Sequence, residues 1–155
     1  MKMIEIFDCD GVLVDSSHRY RNLPNGSIDL EYWIENNTPE KVAHDSLLAT
    51  AADYQKSLQD SQRFTIIATA RQCAAHDFEF FRSRLGMPQH IIYRKKGDSR
   101  TDWKLKVAGL NRILNLRQFK NRAVRLWEDN PVTIENFRRI FPHWEYCYIE
   151  SNQGR

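Results

Sequence analysis

The stretch Ile4–Asp15, IEIFDCDGVLVD, decides the fold. A short apolar run ends in two aspartates one residue apart; a glycine follows, and a second apolar run begins. A strand buried on both faces of a parallel sheet reads as a continuous apolar run. The carboxyl ends of such strands face the ligand crevice. Asp8 and Asp10 therefore fall at that crevice and point the same way. Two carboxylates so close repel each other unless a cation or a shared proton intervenes. The plain alternative is a turn, for which Asp and Gly are common residues, and the rest of the chain decides against it.

Outward from this stretch, strands and helices alternate. Residues 3–8 form the first strand. Residues 11–37 carry turn signals (Leu23-Pro24-Asn25-Gly26) among Tyr20, Tyr32 and Trp33, and read as an irregular flap over the site. Thr38 and Pro39 start a helix expected to run to about Leu58, with Leu47, Ala51, Tyr54 and Leu58 on one face. Residues 64–69, FTIIAT, are the second strand. A helix over 74–85 buries Ala74, Phe78, Phe81 and Leu85, and ends at Gly86. Residues 90–93 are a third strand and 94–101 a loop. A helix over 102–115 turns Trp103, Val107, Leu110 and Leu114 to the core. Residues 123–128 are a fourth strand, a helix capped by Asn130 with Pro131 first runs to about Ile140, and residues 144–149 are a fifth strand. This alternation predicts an α/β fold: a five-stranded, mostly parallel sheet with helices on both faces. One domain over 1–155 is expected, with a flap but no large cap domain.

Length and composition agree. A chain of 155 residues with 41% apolar content suits one folded domain. No apolar run approaches the roughly 20 residues that span a membrane, and the acidic residues near the start do not suit a signal peptide. Cys9, Cys73 and Cys147 are widely spaced, which fits a reducing cytoplasm rather than a disulfide framework. The net charge of +3 hides an asymmetry. Residues 1–60 hold 5 Lys/Arg against 11 Asp/Glu, and residues 94–125 hold 11 against 2. The basic stretch is a candidate for holding a phosphate-bearing or polyanionic substrate.

Four stations can carry phosphoryl chemistry. At the first, an aspartate such as Asp8 can attack phosphorus and form an aspartyl-phosphate, while Asp10 can protonate the leaving oxygen and then activate water. At the second, Thr69 can bond a phosphoryl oxygen and Arg71 offers a forked donor that matches phosphate; a Thr capping the next turn is the bland alternative. The third is a lysine that neutralises charge on the transferring group. Lys104 and Lys106 both qualify; Lys106 shares a face with Asp102 four residues away, blandly a surface ion pair, and is preferred because Trp103 and Val107 mark the core side of this helix. At the fourth, Glu128-Asp129-Asn130, Asp129 can complete an oxygen-ligand Mg²⁺ site with Asp8, while Glu128 can either join it or bond Lys106 instead.

In order and spacing the four stations resemble the haloacid dehalogenase (HAD) phosphohydrolase superfamily, with its Rossmann-like fold. That resemblance implies Asp8 as nucleophile, Asp10 as general acid/base, and a Mg²⁺ site drawing on Asp8, Asp10 and Asp129. A narrower likeness lies at Arg94–Lys106, RKKGDSRTDWKLK, which resembles R-x-x-G-D-[ST]-R-x-D-x-x-x-K of the 3′-phosphatase domain of phage-type polynucleotide kinase-phosphatase. It implies Lys106 as the third-station lysine, Asp102 as an active-site carboxylate, and Arg19 and Arg71 as catalytic or phosphate-binding arginines. The chain departs from the pattern in Gly11-Val12, where Gly-Thr is commoner, and in Glu128-Asp129 for Asp-Asp. It has no P-loop, so any 5′-kinase activity would belong to another protein.

The leading expectation is a Mg²⁺-dependent phosphomonoesterase that removes 3′-phosphates from nucleic-acid ends, with a separate kinase or ligase as partner. The alternative is a small-molecule phosphatase of nucleotides or other metabolites, which the same stations serve. A catalytically inactive nucleic-acid-binding module is the third.

Overall fold

The computed structural model describes residues 1–151. Its centre is β1 (Met3–Phe7). Two short strands, β2 (Val14–Asp15) and β3 (Ser46–Leu47), pair antiparallel beside the main sheet. Between them lie α1 (Leu30–Glu35) and α2 (Pro39–Val42), and after them α3 (Ala51–Gln59). Then come β4 (Arg63–Gln72), α4 (Ala75–Phe80), β5 (His90–Arg94), α5 (Asp102–Leu114), β6 (Ala123–Glu128), α6 (Pro131–Ile140) and β7 (Glu145–Tyr148).

The main sheet has the order β5-β4-β1-β6-β7, and all its pairings are parallel. The chain leaves β1 toward β4 and β5 on one side, then returns to β6 and β7 on the other. Its connections therefore part at the carboxyl end of β1, the place where open α/β sheets hold their ligands. Ile4 and Ile6 face one core, with Ile66, Ile92, Leu105, Leu110, Leu126 and Phe137. Phe7 faces the other, with Ile67, Tyr54, Phe81 and Leu85. Both faces of β1 are thus covered, which is why it reads as an unbroken apolar run. Its one charged residue, Glu5, is buried and accepts hydrogen bonds from Arg63 (2.7 Å), Arg125 (2.9 Å) and Trp127 Nε1 (2.6 Å). That anchors the Trp127 ring where it stacks on Phe7, with centroids 5.4 Å apart.

Three helical expectations change. The helix expected over Thr38–Leu58 is two helices, broken at Ala43–Thr50. Thr38 does cap α2, accepting from Lys41 N, but the chain then leaves the helix so that Asp45 can reach buried Arg19 and Ser46–Leu47 can pair with Val14–Asp15. α4 continues as a π-helical turn over Phe81–Leu85, and Phe80, Phe81 and Leu85 are its buried apolar residues, while Ala74 is exposed. α5 buries Leu105, Lys106 and Leu110, with Trp103, Val107 and Leu114 only packed along its flanks. Within 11–37, the Leu23–Gly26 turn forms as expected, closing a bridge between Asn22 and Ile28. Among the described residues no helix is long and apolar enough to cross a membrane.

Candidate active site

Asp8 follows the last residue of β1, and its backbone N–H donates to Trp127 O at 2.9 Å. The next turn is tight: Val12, Leu13 and Val14 N–H groups all point at Cys9 O, and Gly11 N bonds Val14 O at 2.9 Å. Gly11 sits at φ 82°, which glycine adopts without penalty. This turn leaves Asp8 and Asp10 on one mouth. A cavity of about 70 Å³ opens there, lined by Asp8, Asp10, Thr69, Arg71, Lys106 and Asp129, together with Ala70, Asp102, Glu128 and Asn130.

On one side of the cavity the charge is acidic. Lys106 Nζ donates to Asp8 Oδ1 at 3.0 Å and to Glu128 Oε2 at 2.7 Å, all three being buried. Glu128 Oε1 in turn accepts the amides of Asp129 (3.1 Å) and Asn130 (3.2 Å) at the start of α6. Asp8, Glu128 and Asp129 offer oxygens within 4.8 Å of one another. Three carboxylates facing one ammonium leave two negative charges in a buried place. Burial, with Glu128 next to it, pushes the Asp8 carboxyl up to about 8 against the pull of Lys106. Burial and Asp8 push Asp129 up to about 7. Burial opposes the charge on Lys106, but Asp8 and Glu128 outweigh it and hold the ammonium above its ordinary range.

On the other side Asp10 meets cations. Arg71 donates to it twice, Nη2 to Oδ1 at 2.5 Å and Nε to Oδ2 at 3.1 Å, and Ser16 Oγ donates at 2.7 Å. Burial pushes Asp10 up, yet Arg71, then Arg19 and Ser16, outweigh it and hold the carboxyl below its usual range. Arg71 is itself gripped by Asp77 (3.1 Å) and lies 3.5 Å from Asp45. Asp45 takes both Nε and Nη2 of Arg19 at 2.9 Å, and His18 Nε2 at 2.7 Å. Trp33, on α1, covers this network, 4.3 Å from the Arg19 guanidinium and 5.8 Å from that of Arg71. The 11–37 segment is further tied to the end of β4 by Asn37 Nδ2 donating to Gln72 O at 3.2 Å.

The irregularity of β4 shapes the second station. Its register against β5 shifts between Ala68 and Gln72, bracketing Thr69, Ala70 and Arg71. Such bulges re-aim side chains beside active sites. Thr69 Oγ1 accepts Arg71 N–H at 3.1 Å, which leaves its O–H as a donor at the cavity wall.

The structure thus gathers Asp8, Asp10, Thr69, Arg71, Lys106, Glu128 and Asp129 at one cavity. Asp102 joins them at the rim; one expected residue falls elsewhere, and two take partners that were not expected. Arg19 is fully buried, absent from the cavity lining, and spent on Asp45. Asp102 lies at the rim, pairing with Arg94 at 3.1 Å rather than with Arg19, Arg71 or Lys106. Asp10 turns its carboxylate to Arg71, so the group of three close carboxylates contains Glu128 in its place. Asp45 and Asp77 were missed by sequence reasoning, since neither stands in a motif, and only their burial and long-range partners reveal them.

A parallel sheet with this connection order, two aspartates at the end of its central strand, and a lysine and acidic pair closing the same cavity defines an α/β phosphatase fold of the HAD type. The solved Pnkp1/Rnl/Hen1 complex contains such a fold: TM-score 0.70 at 17% identity, over 99% of this chain and 47% of that one. So does the Pnkp1/Rnl/Hen1 RNA repair complex, at 0.69 and 17%, over 97% and 43%. This chain therefore spans less than half the length of those two. A haloacid dehalogenase-like hydrolase from Streptococcus pneumoniae superposes at 0.67 and 11% identity, over 97% of this chain and 88% of that one. No curated protein matches the chain by sequence. The family profile of the bacteriophage T5 5′-deoxynucleotidase matches residues 1–96, and the chain belongs to that family.

Proposed function

We propose that the protein is a Mg²⁺-dependent phosphomonoesterase of nucleotides, with deoxynucleoside 5′-monophosphates as the foremost substrates and Asp8 as the nucleophile. The observation that carries this reading is the opposite setting of two aspartates at one cavity: Asp8 on Lys106 at 3.0 Å and Asp10 on Arg71 at 2.5 Å. The family profile supports the substrate, and its matched residues include Asp8, Asp10, Thr69 and Arg71.

Asp8 attacks phosphorus, forming an aspartyl-phosphate and releasing the nucleoside oxygen. Asp10, which Arg71 holds ionised, first takes up a proton from solvent, hands it to that oxygen and then takes one from the water that frees Asp8. Thr69 O–H and Lys106 Nζ hold the equatorial oxygens, where charge develops. Arg71 keeps Asp10 aimed at the leaving group. Asp77 and Asp45 hold Arg71, Arg19 fixes Asp45 in turn, and Asp102 fixes Arg94 at the rim. The donor set fits Mg²⁺: hard carboxylate oxygens from Asp8 and Asp129, beside Glu128, in a buried place with two negative charges in excess. Asp10, whose carboxylate is taken by Arg71, would join this set only through its backbone carbonyl. When bound, Mg²⁺ supplies a Lewis acid for the phosphoryl oxygens. In this reading the enzyme works in the cytoplasm as one phosphatase domain, with the 11–37 segment as a flap and no large cap over the site.

A second reading is favoured by one specific observation, the RKKGDSRTDWKLK segment, which resembles that of polynucleotide 3′-phosphatases. In that case the substrate is a 3′-phosphate on a nucleic-acid end, and a separate kinase or ligase is the working partner. Phosphate release with MgCl₂ tests both readings, using a deoxynucleoside 5′-monophosphate, a nucleoside 3′-monophosphate, and 3′- and 5′-phosphorylated oligonucleotides, each beside an Asp8→Asn control. Preference for the 5′-mononucleotide, abolished in the variant, is the expected result. Preference for the 3′-phosphorylated oligonucleotide moves the assignment to end repair. No release from any of them overturns both readings.

A further inference from the structure

A second cavity, of about 400 Å³, lies between the edge strand β5 and α5 and has no part in the chemistry above. Its volume is within the range of small-molecule sites. Gly109 is part of its wall: a Cβ there would stand 2.6 Å from Ile92 Cγ2, so only glycine lets the middle of α5 settle on β5. A mid-helix glycine is disfavoured relative to alanine, and this close approach is what it permits.

The chemistry of the lining is one-sided. Ile92, Leu105 and Ile113 supply an apolar floor. The one carboxylate, Asp98, is taken by Arg100, whose Nη2 stands 2.6 Å from it. That leaves Lys95 and Arg112, both exposed, with no ion-pair partner among the described residues. An apolar floor beside two uncompensated cations suits a ligand with a flat, weakly polar body and an anionic end. The cavity also adjoins the active site across one loop. Arg94 bonds Asp98 O (2.8 Å) and Arg100 O (2.7 Å) on this side, and Ala70 O (3.0 Å) and Asp102 on the other.

We propose that this cleft is a second nucleotide site, with the base and sugar on the Ile92–Leu105–Ile113 floor and the phosphate held by Lys95 and Arg112. The ligand is a nucleoside phosphate, either free or as the unit of a strand next to the one held in the active site. The strand source rests on the end-repair reading above, and the free source does not.

The test uses Asp8→Asn protein, which binds without turnover, with isoleucine methyl labels. It is titrated with dTMP and with a 3′-phosphorylated thymidine hexanucleotide, and both titrations are repeated after adding Lys95→Ala and Arg112→Ala. Charge-assisted contacts of this kind are each worth about tenfold in affinity. Methyl shifts of Ile91, Ile92 and Ile113 with dTMP, weakened at least tenfold by the double substitution, assign the free nucleotide. Shifts with the hexanucleotide alone, weakened in the same way, assign the strand. No shift at these methyls with either ligand, or shifts that the double variant retains, overturns the proposal. Turnover of p-nitrophenyl phosphate by the Lys95→Ala/Arg112→Ala protein with Asp8 intact stays unchanged. Loss of all turnover in the parent protein would strike the catalytic reading and leave the methyl readout standing.

Discussion

Replacing Lys106 by methionine isolates the electrostatics of the site. Met is close to Lys in volume, so little cavity forms, and the change removes one buried ammonium. That ammonium is 3% exposed and contacts Asp8 at 3.0 Å and Glu128 at 2.7 Å. Removing one partner of a buried ion pair costs roughly 3–5 kcal/mol, because the other charge is left uncompensated. An unfolding entropy of about 2.1 cal/mol/K per residue, over a chain of this length, turns that cost into a Tm drop of roughly 9–15 °C. The carboxyls can relieve it by taking up protons. Lys106 is the group that holds the Asp8 carboxyl down, so without it Asp8 binds its proton more firmly still. The drop is therefore largest near pH 8.5 and smaller at pH 6. Mg²⁺ should stabilise the variant more than the parent, because the three carboxylates then lack any other cation; saturation at a hundredfold over Kd is worth about 2.7 kcal/mol. Thermal melts by circular dichroism in EDTA and in MgCl₂, at both pH values, measure all of this. A metal-free drop below about 3 °C at pH 8.5, or one that does not shrink at pH 6, would refute the charge balance drawn for the cavity.

Three further outcomes follow from the same geometry. Asp8 and Asp129 have folded-state carboxyls pushed up to about 8 and about 7, above their unfolded value of 3.8. The folded state therefore holds more protons than the unfolded one. Their contribution is full below the unfolded value and lost as pH rises through 7 and 8, so metal-free Tm should fall from pH 6 to 8.5 and MgCl₂ should flatten the slope; a rising metal-free Tm refutes it. Asp8→Asn should abolish phosphate release yet raise the metal-free Tm at pH 8.5 by a few degrees, since a neutral amide replaces a carboxylate that burial disfavours; retained turnover would remove Asp8 from the nucleophile's role. Asp45→Asn should slow nucleotide hydrolysis by about tenfold or more but leave p-nitrophenyl phosphate nearly unaffected, because that leaving group departs without the proton Asp10 must deliver; equal losses on both substrates would make Asp45 merely structural.

Much of the architecture could be read from local pattern. β6 and α6 stand at Ala123–Glu128 and Pro131–Ile140, where the apolar alternation and the Asn130-Pro131 start signal put them. The stations at Asp8 and Asp129 could be read because each follows the last residue of a strand, where the sequence changes period; Thr69 lies within the irregular end of β4 and Lys106 one turn into α5. Long-range burial carries no such mark. Arg19 looks like a free phosphate-binding arm until Asp45, 26 residues on, is seen to take it. The same bond breaks the helix expected through His44, where propensity alone gave no reason to stop. On α5 the expected Trp103, Val107 and Leu114 pack partly buried against the core beside Leu110, and Leu105, which the pattern did not mark, is buried as well because Lys106 is drawn inward to Asp8 and Glu128. A charged residue on the core side runs against hydrophobic patterning, and only the carboxylates waiting there account for it.

That buried lysine also explains how two identical side chains, two residues apart, come to differ. Asp8 and Asp10 leave the same strand end, and burial penalises the charge on both. Asp8 must share one ammonium with Glu128 and sits beside Asp129, so its proton is held. Asp10 meets a guanidinium that donates twice, with Arg19 and Ser16 behind it, so its proton is shed. Sites that push the affinities of paired carboxyls apart are those that divide acid–base work between them. The direction of the division here has a consequence. In the proposed mechanism the attacking carboxylate is the one that the bare protein keeps protonated near neutral pH, whereas its partner is ionised without help. Lys106 alone does not ionise Asp8, because Glu128 claims the shorter of its two contacts. In the proposed mechanism the oxygens at Asp8, Glu128 and Asp129 therefore ask for further positive charge before Asp8 can act, and once all three carboxyls are ionised a divalent cation matches the two negatives that Lys106 leaves over.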